Sequence, residues 1–167
     1  MVTPHNSLSV RRVDYTDARD AAALVALLDA YASDPAGGGQ PLSEHVKRHL
    51  AAELGRRPQA FSFIAWEADT PVGLVNCIEG FSTFACQTLV NVHDVAVLSG
   101  HRGRGVGRLL LAAAENEARI RGACKLTLEV LSGNGPARRL YEALGFADYQ
   151  LDPAMGHACF MQKWLEH

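Results

Sequence analysis

The chain has little excess charge of either sign: 16 Lys and Arg stand against 18 Asp and Glu, for a net charge of −2. This balance gives no electrostatic reason to expect a nucleic-acid or membrane-surface partner. No apolar run approaches the roughly 18 residues that a membrane-spanning helix needs. The polar first residues also lack the apolar stretch of a signal peptide. We therefore expect a protein of the cytoplasm.

The sequence also lacks any Cys-x-x-Cys pair, because its four cysteines are scattered and each lies beside apolar residues. This pattern favours reduced, packed thiols. His45 and His49 lie one helical turn apart, but no Cys or carboxylate completes a known ligand pattern around them. We therefore predict no metal site.

Hydrophobic spacing predicts one α+β domain over residues 1–167. Apolar residues at three- and four-residue intervals predict about four helices, the first two capped by Thr16 or Asp17 and by Ser43. These helices flank a mixed sheet of six to seven strands. Trp66 and Trp164 are expected in the core. The strands are expected at residues 8–15, 61–66, 72–78, 89–98, 124–131, 146–151 and 159–164.

A glycine-rich turn, Arg102-Gly103-Arg104-Gly105-Val106-Gly107, lies between a valine-rich strand and a long helix at about 105–121. Helix N-termini carry free N–H groups and bind anions, and glycines let a diphosphate approach the backbone. Arg102, Arg104 and Arg108 add mobile positive charge. A P-loop would need a lysine after the glycines, and a dinucleotide fingerprint would need a glycine at Arg108. The alternative is a turn that simply begins a helix.

The wider pattern decides between these interpretations. The spacing Arg102-x-x-Gly105-x-Gly107 resembles the cofactor turn of the GNAT (GCN5-related) N-acetyltransferase superfamily. Downstream, Asn134, Ala137, Tyr141 and Gly145-Phe146 resemble the second cofactor motif of that family. The resemblance is strong over residues 90–147, while the first third of the chain is similar only in the order of its elements. It implies a single-domain GNAT-like fold with acetyl-CoA as the cofactor.

The resemblance also implies roles for particular residues. The backbone of Val95 and Val97 would pair with the pantetheine arm, Asn134 would bond it, and Tyr141 would protonate the departing thiolate. A packed core tyrosine is the alternative for Tyr141. The complete set of implied cofactor residues is Val95, Ala96, Val97, Arg102, Gly103, Arg104, Gly105, Val106, Gly107, Arg108, Asn134, Ala137 and Tyr141.

Acetyl transfer requires a base, since an alkylamine with a pKa of about 10 is protonated at neutral pH. His93 and Asp94 lie on the strand before the turn, where the family often has an acidic residue. In a regular strand their side chains would point to opposite faces. His93 is the preferred base because imidazole titrates near neutral pH. Asp94 and a chain of waters remain alternatives.

The acceptor is expected to be a small-molecule amine or amino-acid derivative. Glu79 and residues 31–40 are the candidates for lining its pocket. A protein N-terminal or lysine acetyltransferase shares the same cofactor half, and a non-catalytic acyl-CoA-binding module is a further alternative. A tRNA-acetylating toxin is disfavoured because the chain has no strong positive charge. The resemblance is also compatible with a homodimer.

Overall fold

A five-stranded mixed sheet organises the first of two units that the chain forms in the computed structural model, which describes residues 8–165. The first unit ends at residue 128 and the second begins at residue 129. The sheet order is β1-β2-β3-β4-β5, with antiparallel pairs throughout except for β5, which is parallel to β4. The strands are β1 (Leu8–Arg12), β2 (Ala60–Glu67), β3 (Thr70–Ser82), β4 (Gln87–Val97) and β5 (Leu126–Leu128).

Four helices accompany these strands in the described residues, and their N-caps follow the sequence signals. The Asp17 side chain accepts a bond from the Asp20 amide, and the Ser43 hydroxyl accepts one from the Val46 amide. Each bond satisfies an amide that has no partner within its own helix. The helices are α1 (Ala18–Ser33), α2 (Glu44–Gly55) and α3 (Val106–Ile120) in the first unit and α4 (Gly135–Glu142) in the second.

The two faces of the sheet pack against different helices. On one face, Leu74 of β3 packs in a buried cluster with Leu24 and Leu27 of α1. Gly73 is the neighbouring residue and faces the other way, toward Val106 and Leu110 of α3. The sheet is therefore covered by α1 on one side and by α3 on the other, and the turn before α3 is fixed at the end of β4.

Several sequence predictions about the end of the chain are wrong. Residues 146–151 and 159–164 form no strands, so the described residues contain five strands instead of six to seven. A strand needs a partner for its ladder of hydrogen bonds, and β propensity alone does not supply one. Trp164 is 84% exposed, whereas Trp66 is buried as predicted. The prediction of four packed thiols is also wrong, because only Cys77 is buried.

No helix within residues 8–165 combines the length and the apolar character that crossing a bilayer requires.

Candidate active site

The turn between β4 and α3 has a backbone that favours glycine. Gly103 and Gly105 have φ values of 74° and 84°, in a region that strains other residues. Gly105 is the N-cap of α3 and offers no side chain to bond the first amides of the helix. A Cβ built at either glycine would meet nothing within 4 Å. The helix therefore begins at an open space suited to an anion.

Arg102 connects this turn to the segment that follows α1. Its Nε donates to the Val97 carbonyl at 3.0 Å, and its Nη2 donates to Asp34 at 2.8 Å. The hydrogen bond from Arg102, together with one from the Ala36 amide, holds the pKa of the Asp34 carboxyl below its usual value. The chain just beyond α1 is thus tied to the end of β4.

Arg104 is also engaged by a carboxylate. Its guanidinium binds Glu67 at the end of β2, and Glu67 further binds Nε2 of His101 at 3.0 Å. The hydrogen bond from Arg104 is the main cause that lowers the pKa of the Glu67 carboxyl. Arg102 and Arg104 were expected to be mobile cations, but both are held in ion pairs. Arg108 makes no ion pair among the described residues.

The second half of β4 presents an open backbone edge within the described part of the first unit. β5 pairs only with residues 90–92 of β4. On the side of β3, the Leu98 amide donates to the Val72 carbonyl at 3.0 Å. Because bonded and non-bonded pairs alternate along an antiparallel ladder, the backbone groups of Val95 and Val97 point away from β3. They face the open edge, where another extended group could bond them; the Val97 carbonyl already accepts one hydrogen bond there, from Arg102 Nε.

A β-bulge interrupts β4 at His93. Asn76 of β3 pairs with Asp94, but the next residue, Cys77, pairs with Val92. His93 is therefore an extra residue with no partner of its own in β3. A bulge breaks the strict alternation of side chains along a strand. A sequence pattern of period two does not reveal such a break.

His93 and Asp94 consequently lie on the same face of the sheet, and the prediction of opposite faces is wrong. Asp94 pairs with Asn76, and Asn91 pairs with Ile78, two residues further along β3 on the same face. The His93 ring reaches the Asn91 side chain, with Nδ1 at 3.3 Å from Oδ1. The two candidate bases are therefore neighbours.

The bond to Asn91 also selects the tautomer of His93. The Asn91 Nδ2 donates to the Thr127 hydroxyl at 3.2 Å, so its amide oxygen is the atom that faces the ring. An amide oxygen only accepts, so this contact fits the tautomer of His93 that carries its proton on Nδ1. In neutral His93 this leaves the basic lone pair on Nε2.

Asp94 is half-buried and is held by an amide. Asn76 Nδ2 donates to its Oδ2 at 3.0 Å. No Lys, Arg or His within the described residues forms an ion pair with it. Burial raises the pKa of the Tyr31 hydroxyl on α1, and the charge of Asp94 raises it further. Asp94 thus has no counter-ion among the described residues and lies in the neighbourhood of α1.

A cavity of about 350 Å³ lies between the second half of α1 and the end of β4. Tyr31 and Asp34, from the 31–40 segment, are part of its lining. Glu79 is not in its lining and instead binds Arg121, the C-cap residue of α3, at 2.8 Å. The remaining lining residues are Leu27, Ala30, Ala96, Val97, Leu98, Ser99, Gly100, His101 and Arg102. The cavity therefore adjoins the open edge of β4 and the glycine-rich turn.

The second unit contains the other predicted residues. The Asn134 side chain caps α4 and accepts a bond from the Ala137 amide at 3.3 Å. Tyr141 packs edge-on against Phe146, with ring centroids 5.9 Å apart. Both motif residues thus have defined local roles in α4, and their predicted contacts with a cofactor stay predictions.

Sequence reasoning missed the partners of the site residues: Asn76, Asp34 and Glu67. Asn76 carried a usable signal, because it is an amide in the middle of an otherwise apolar run from Val72 to Ile78. A buried polar side chain needs a hydrogen-bond partner, so an amide at such a position predicts that a partner lies nearby. Among residues 8–165, no three His, Cys, Asp or Glu side chains are grouped as a metal site requires.

Comparison with known sequences gives consistent matches. Residues 24–146 match the model of the Acetyltransferase (GNAT) family. The streptothricin acetyltransferase of Streptomyces lavendulae is 40% identical over 87 residues, which are 50% of this chain and 46% of that protein. The uncharacterized N-acetyltransferase YhfO of Bacillus subtilis is 31% identical over 146 residues, 84% of this chain and 90% of that protein. The match thus spans about half of the first relative and most of the second.

Solved structures share the fold. The aminoglycoside N-acetyltransferase AAC(6')-Iy, in complex with CoA, superimposes with a TM-score of 0.74 and 17% sequence identity. The alignment covers 98% of this chain and 99% of that one. At this identity the likeness concerns the fold alone.

Proposed function

Because the chain belongs to the acetyltransferase (GNAT) family, we propose that it transfers the acetyl group of acetyl-CoA to a primary amine on a small molecule. Transfer is direct, within a complex of enzyme, cofactor and amine. One observation carries the proposal: an open glycine-rich turn and an open strand edge lie on the same strand-turn-helix segment that carries His93 and Asp94 on one face.

The residues of the first unit fit the parts of the cofactor. The open N-terminus of α3, with Gly103 and Gly105, would hold the diphosphate. The backbone groups of Val95 and Val97 would bond the amides of the pantetheine arm as a neighbouring strand does. When bound, acetyl-CoA supplies an acetyl group activated as a thioester.

The chain would act on the amine through His93 and Asp94. An alkylammonium group has a pKa of about 10 and must lose a proton before it attacks. The carboxylate of Asp94 attracts the ammonium group, and Nε2 of His93 accepts its proton. We retain Tyr141 as the proton donor to the leaving thiolate, which rests on its place in the second motif.

A small-molecule acceptor is supported by the relatives. The name of one of them, the streptothricin acetyltransferase, states a small-molecule substrate. A cavity of about 350 Å³ beside Tyr31 suits part of such a molecule. An acceptor screen should compare aminoglycosides, streptothricin, polyamines and amino acids with peptides, and preferential turnover of peptides would overturn this acceptor class.

The cofactor site can be tested by calorimetric titration with acetyl-CoA. Gly105→Glu places a negative charge and a side chain where the diphosphate should lie, so we expect micromolar binding by the native protein to be lost. Gly122→Glu is the matched control, because Gly122 also has a positive φ, 69°, but lies beyond the C-terminal end of α3. It should unfold at a similarly lowered temperature and still bind acetyl-CoA.

Absence of binding to the native protein would overturn the proposal, and so would equal binding by Gly105→Glu. Location in the cytoplasm, a homodimer and a single domain over residues 1–167 stay predictions.

A further inference from the structure

A chain of buried hydrogen bonds crosses the sheet and ends at Asp94. The Tyr15 hydroxyl lies 2.7 Å from the Ser62 hydroxyl of β2, and Ser62 donates to Asn76 Oδ1 of β3 at 2.6 Å. Asn76 then donates to Asp94 of β4 at 3.0 Å. Ser62 and Asn76 are only 1% and 4% exposed. The chain thus joins the loop after β1 to the face that carries the candidate bases.

The donors in this chain all point in one direction. A carboxylate only accepts, so Asn76 must present its NH2 group to Asp94 and its oxygen to Ser62. Ser62 then donates its single hydroxyl proton to Asn76, and Tyr15 must donate to Ser62. Each bond in the series polarises the next and increases the positive character of the amide that faces Asp94. The arrangement therefore holds the carboxylate in one orientation.

The partial burial of Asp94 does not by itself require this chain of hydrogen bonds. Asp94 is only half-buried, and water could solvate it if it pointed outward. It is instead held at Oδ2 by a nearly inaccessible amide, and the described residues provide no cation as its partner. A fixed carboxylate without a counter-ion, next to His93 and near the cavity, is suited to a ligand that carries positive charge.

We propose that Asn76 is a positioning residue, which holds Asp94 through the chain Tyr15–Ser62–Asn76 as the subsite for the positive charge of the acceptor. The proposal rests on the proposed function and narrows its acceptor to amines that bind as ammonium ions. Asp94 makes the contact with the acceptor, and Asn76 acts only through Asp94.

The titratable groups around Asp94 come from three elements. His93 lies beside it on β4, and Tyr31 approaches from α1. Cys77 of β3 lies on the opposite face, where burial raises the pKa of its thiol to about 12 and the charge of Asp94 contributes to the increase. His93 is thus the neighbour of Asp94 on the same strand and face, and pH profiles must also be compared in a His93→Gln background.

The kinetic test uses a graded series of variants with the best amine of the acceptor screen. Asn76→Leu should raise the KM for the amine about tenfold and leave the KM for acetyl-CoA unchanged, because only the ammonium contact is weakened. The pH profile for kcat/KM should change as well, because Asp94 loses the hydrogen bond from Asn76. Ser62→Ala should have a smaller effect, and Tyr15→Phe, which removes only the terminal donor, the smallest.

A matched control separates positioning from simple loss of packing. Ile64→Val shortens a buried side chain on β2, two residues from Ser62 on the same face. It should lower Tm and leave the amine KM and the pH profile unchanged. In an Asp94→Asn background, Asn76→Leu should add nothing to the amine KM. An additive effect there, or equal effects of Asn76→Leu and Ile64→Val, would overturn the proposal.

A binding test needs no turnover and so distinguishes this inference from the proposed function. The 15N resonances of the Asn76 side-chain amide report its bond to Asp94 directly. Titration with n-butylamine, charged at pH 7, should shift them in the native protein and not in Asp94→Asn. The neutral n-butanol should leave them unchanged. Equal shifts with both probes, or none with the amine, would refute the ammonium subsite even in an active acetyltransferase.

Discussion

Gly73→Ala tests whether the position of α3 against the sheet sets the geometry of the glycine-rich turn. A Cβ at this site would lie 2.9 Å from Val106 Cγ1, 3.0 Å from Leu110 Cδ1 and 3.0 Å from the Ala96 carbonyl oxygen. The carbonyl belongs to β4 and cannot rotate away, and the two side chains belong to α3, so the added Cβ pushes α3 outward as well as straining the contact with β4. Overpacking of this kind destabilises a core by about 1–3 kcal/mol.

The expected change in Tm follows from this free energy. For a chain of this size, each kcal/mol lowers Tm by roughly 2–4 °C, so a loss of about 2 kcal/mol corresponds to roughly 4–8 °C. Val106 is the first residue of α3 and is 1% exposed. Its displacement should also move the first amides of the helix. We therefore expect weaker binding of acetyl-CoA together with the lower Tm.

Circular dichroism during heating and calorimetry with acetyl-CoA provide the two measurements. Gly80→Ala on the same strand is the control, since its Cβ would meet only the Leu89 side chain, at 3.3 Å. It should change Tm by less than the Gly73 variant and leave binding intact. A Gly73→Ala protein with native Tm and native affinity would refute the argument that close packing of α3 fixes the turn.

Two further predictions concern the ion pair after α1 and the second motif. The pKa of the Asp34 carboxyl is lowered in the folded state by Arg102, so its stabilising effect is present above the ordinary value of 3.8 and is lost as the pH falls through the folded value. The difference in Tm between the native protein and Asp34→Asn should therefore be full at pH 7 and shrink below pH 3.8; a difference independent of pH would contradict this account. Tyr141→Phe should lower kcat about a hundredfold or more and preserve acetyl-CoA affinity, if the hydroxyl is the proton donor. Tyr149→Phe is its control in the same unit, and unchanged turnover in the Tyr141 variant would remove the hydroxyl from the mechanism.

Local features of the fold could be predicted from the sequence. Asp17 and Ser43 cap their helices through contacts two or three residues away, which the chain specifies by itself. The positive φ values of Gly103 and Gly105 follow in the same way, because such a turn depends on the residue that occupies it. The order of elements from β1 to α4 was accordingly predicted, with differences of a few residues at their ends.

Features that depend on partners distant in sequence could not be predicted in this way. Residues 146–151 and 159–164 have the composition of strands, but a strand forms only where another strand pairs with it. The same reason explains the bulge at His93, since an extra residue exists only relative to the register of β3.

The sequence by itself determined the glycine-rich turn, the family resemblance and the identities of His93 and Asp94 as candidates for the chemistry. Only the tertiary structure decided that these two side chains share a face and that Asn76 holds one of them. It also decided that Arg102 and Arg104 are bound to Asp34 and Glu67, 68 and 37 residues away along the chain. Turns and caps arise from neighbouring residues, whereas charge pairing and side-chain direction in a sheet arise from how separate segments pack together.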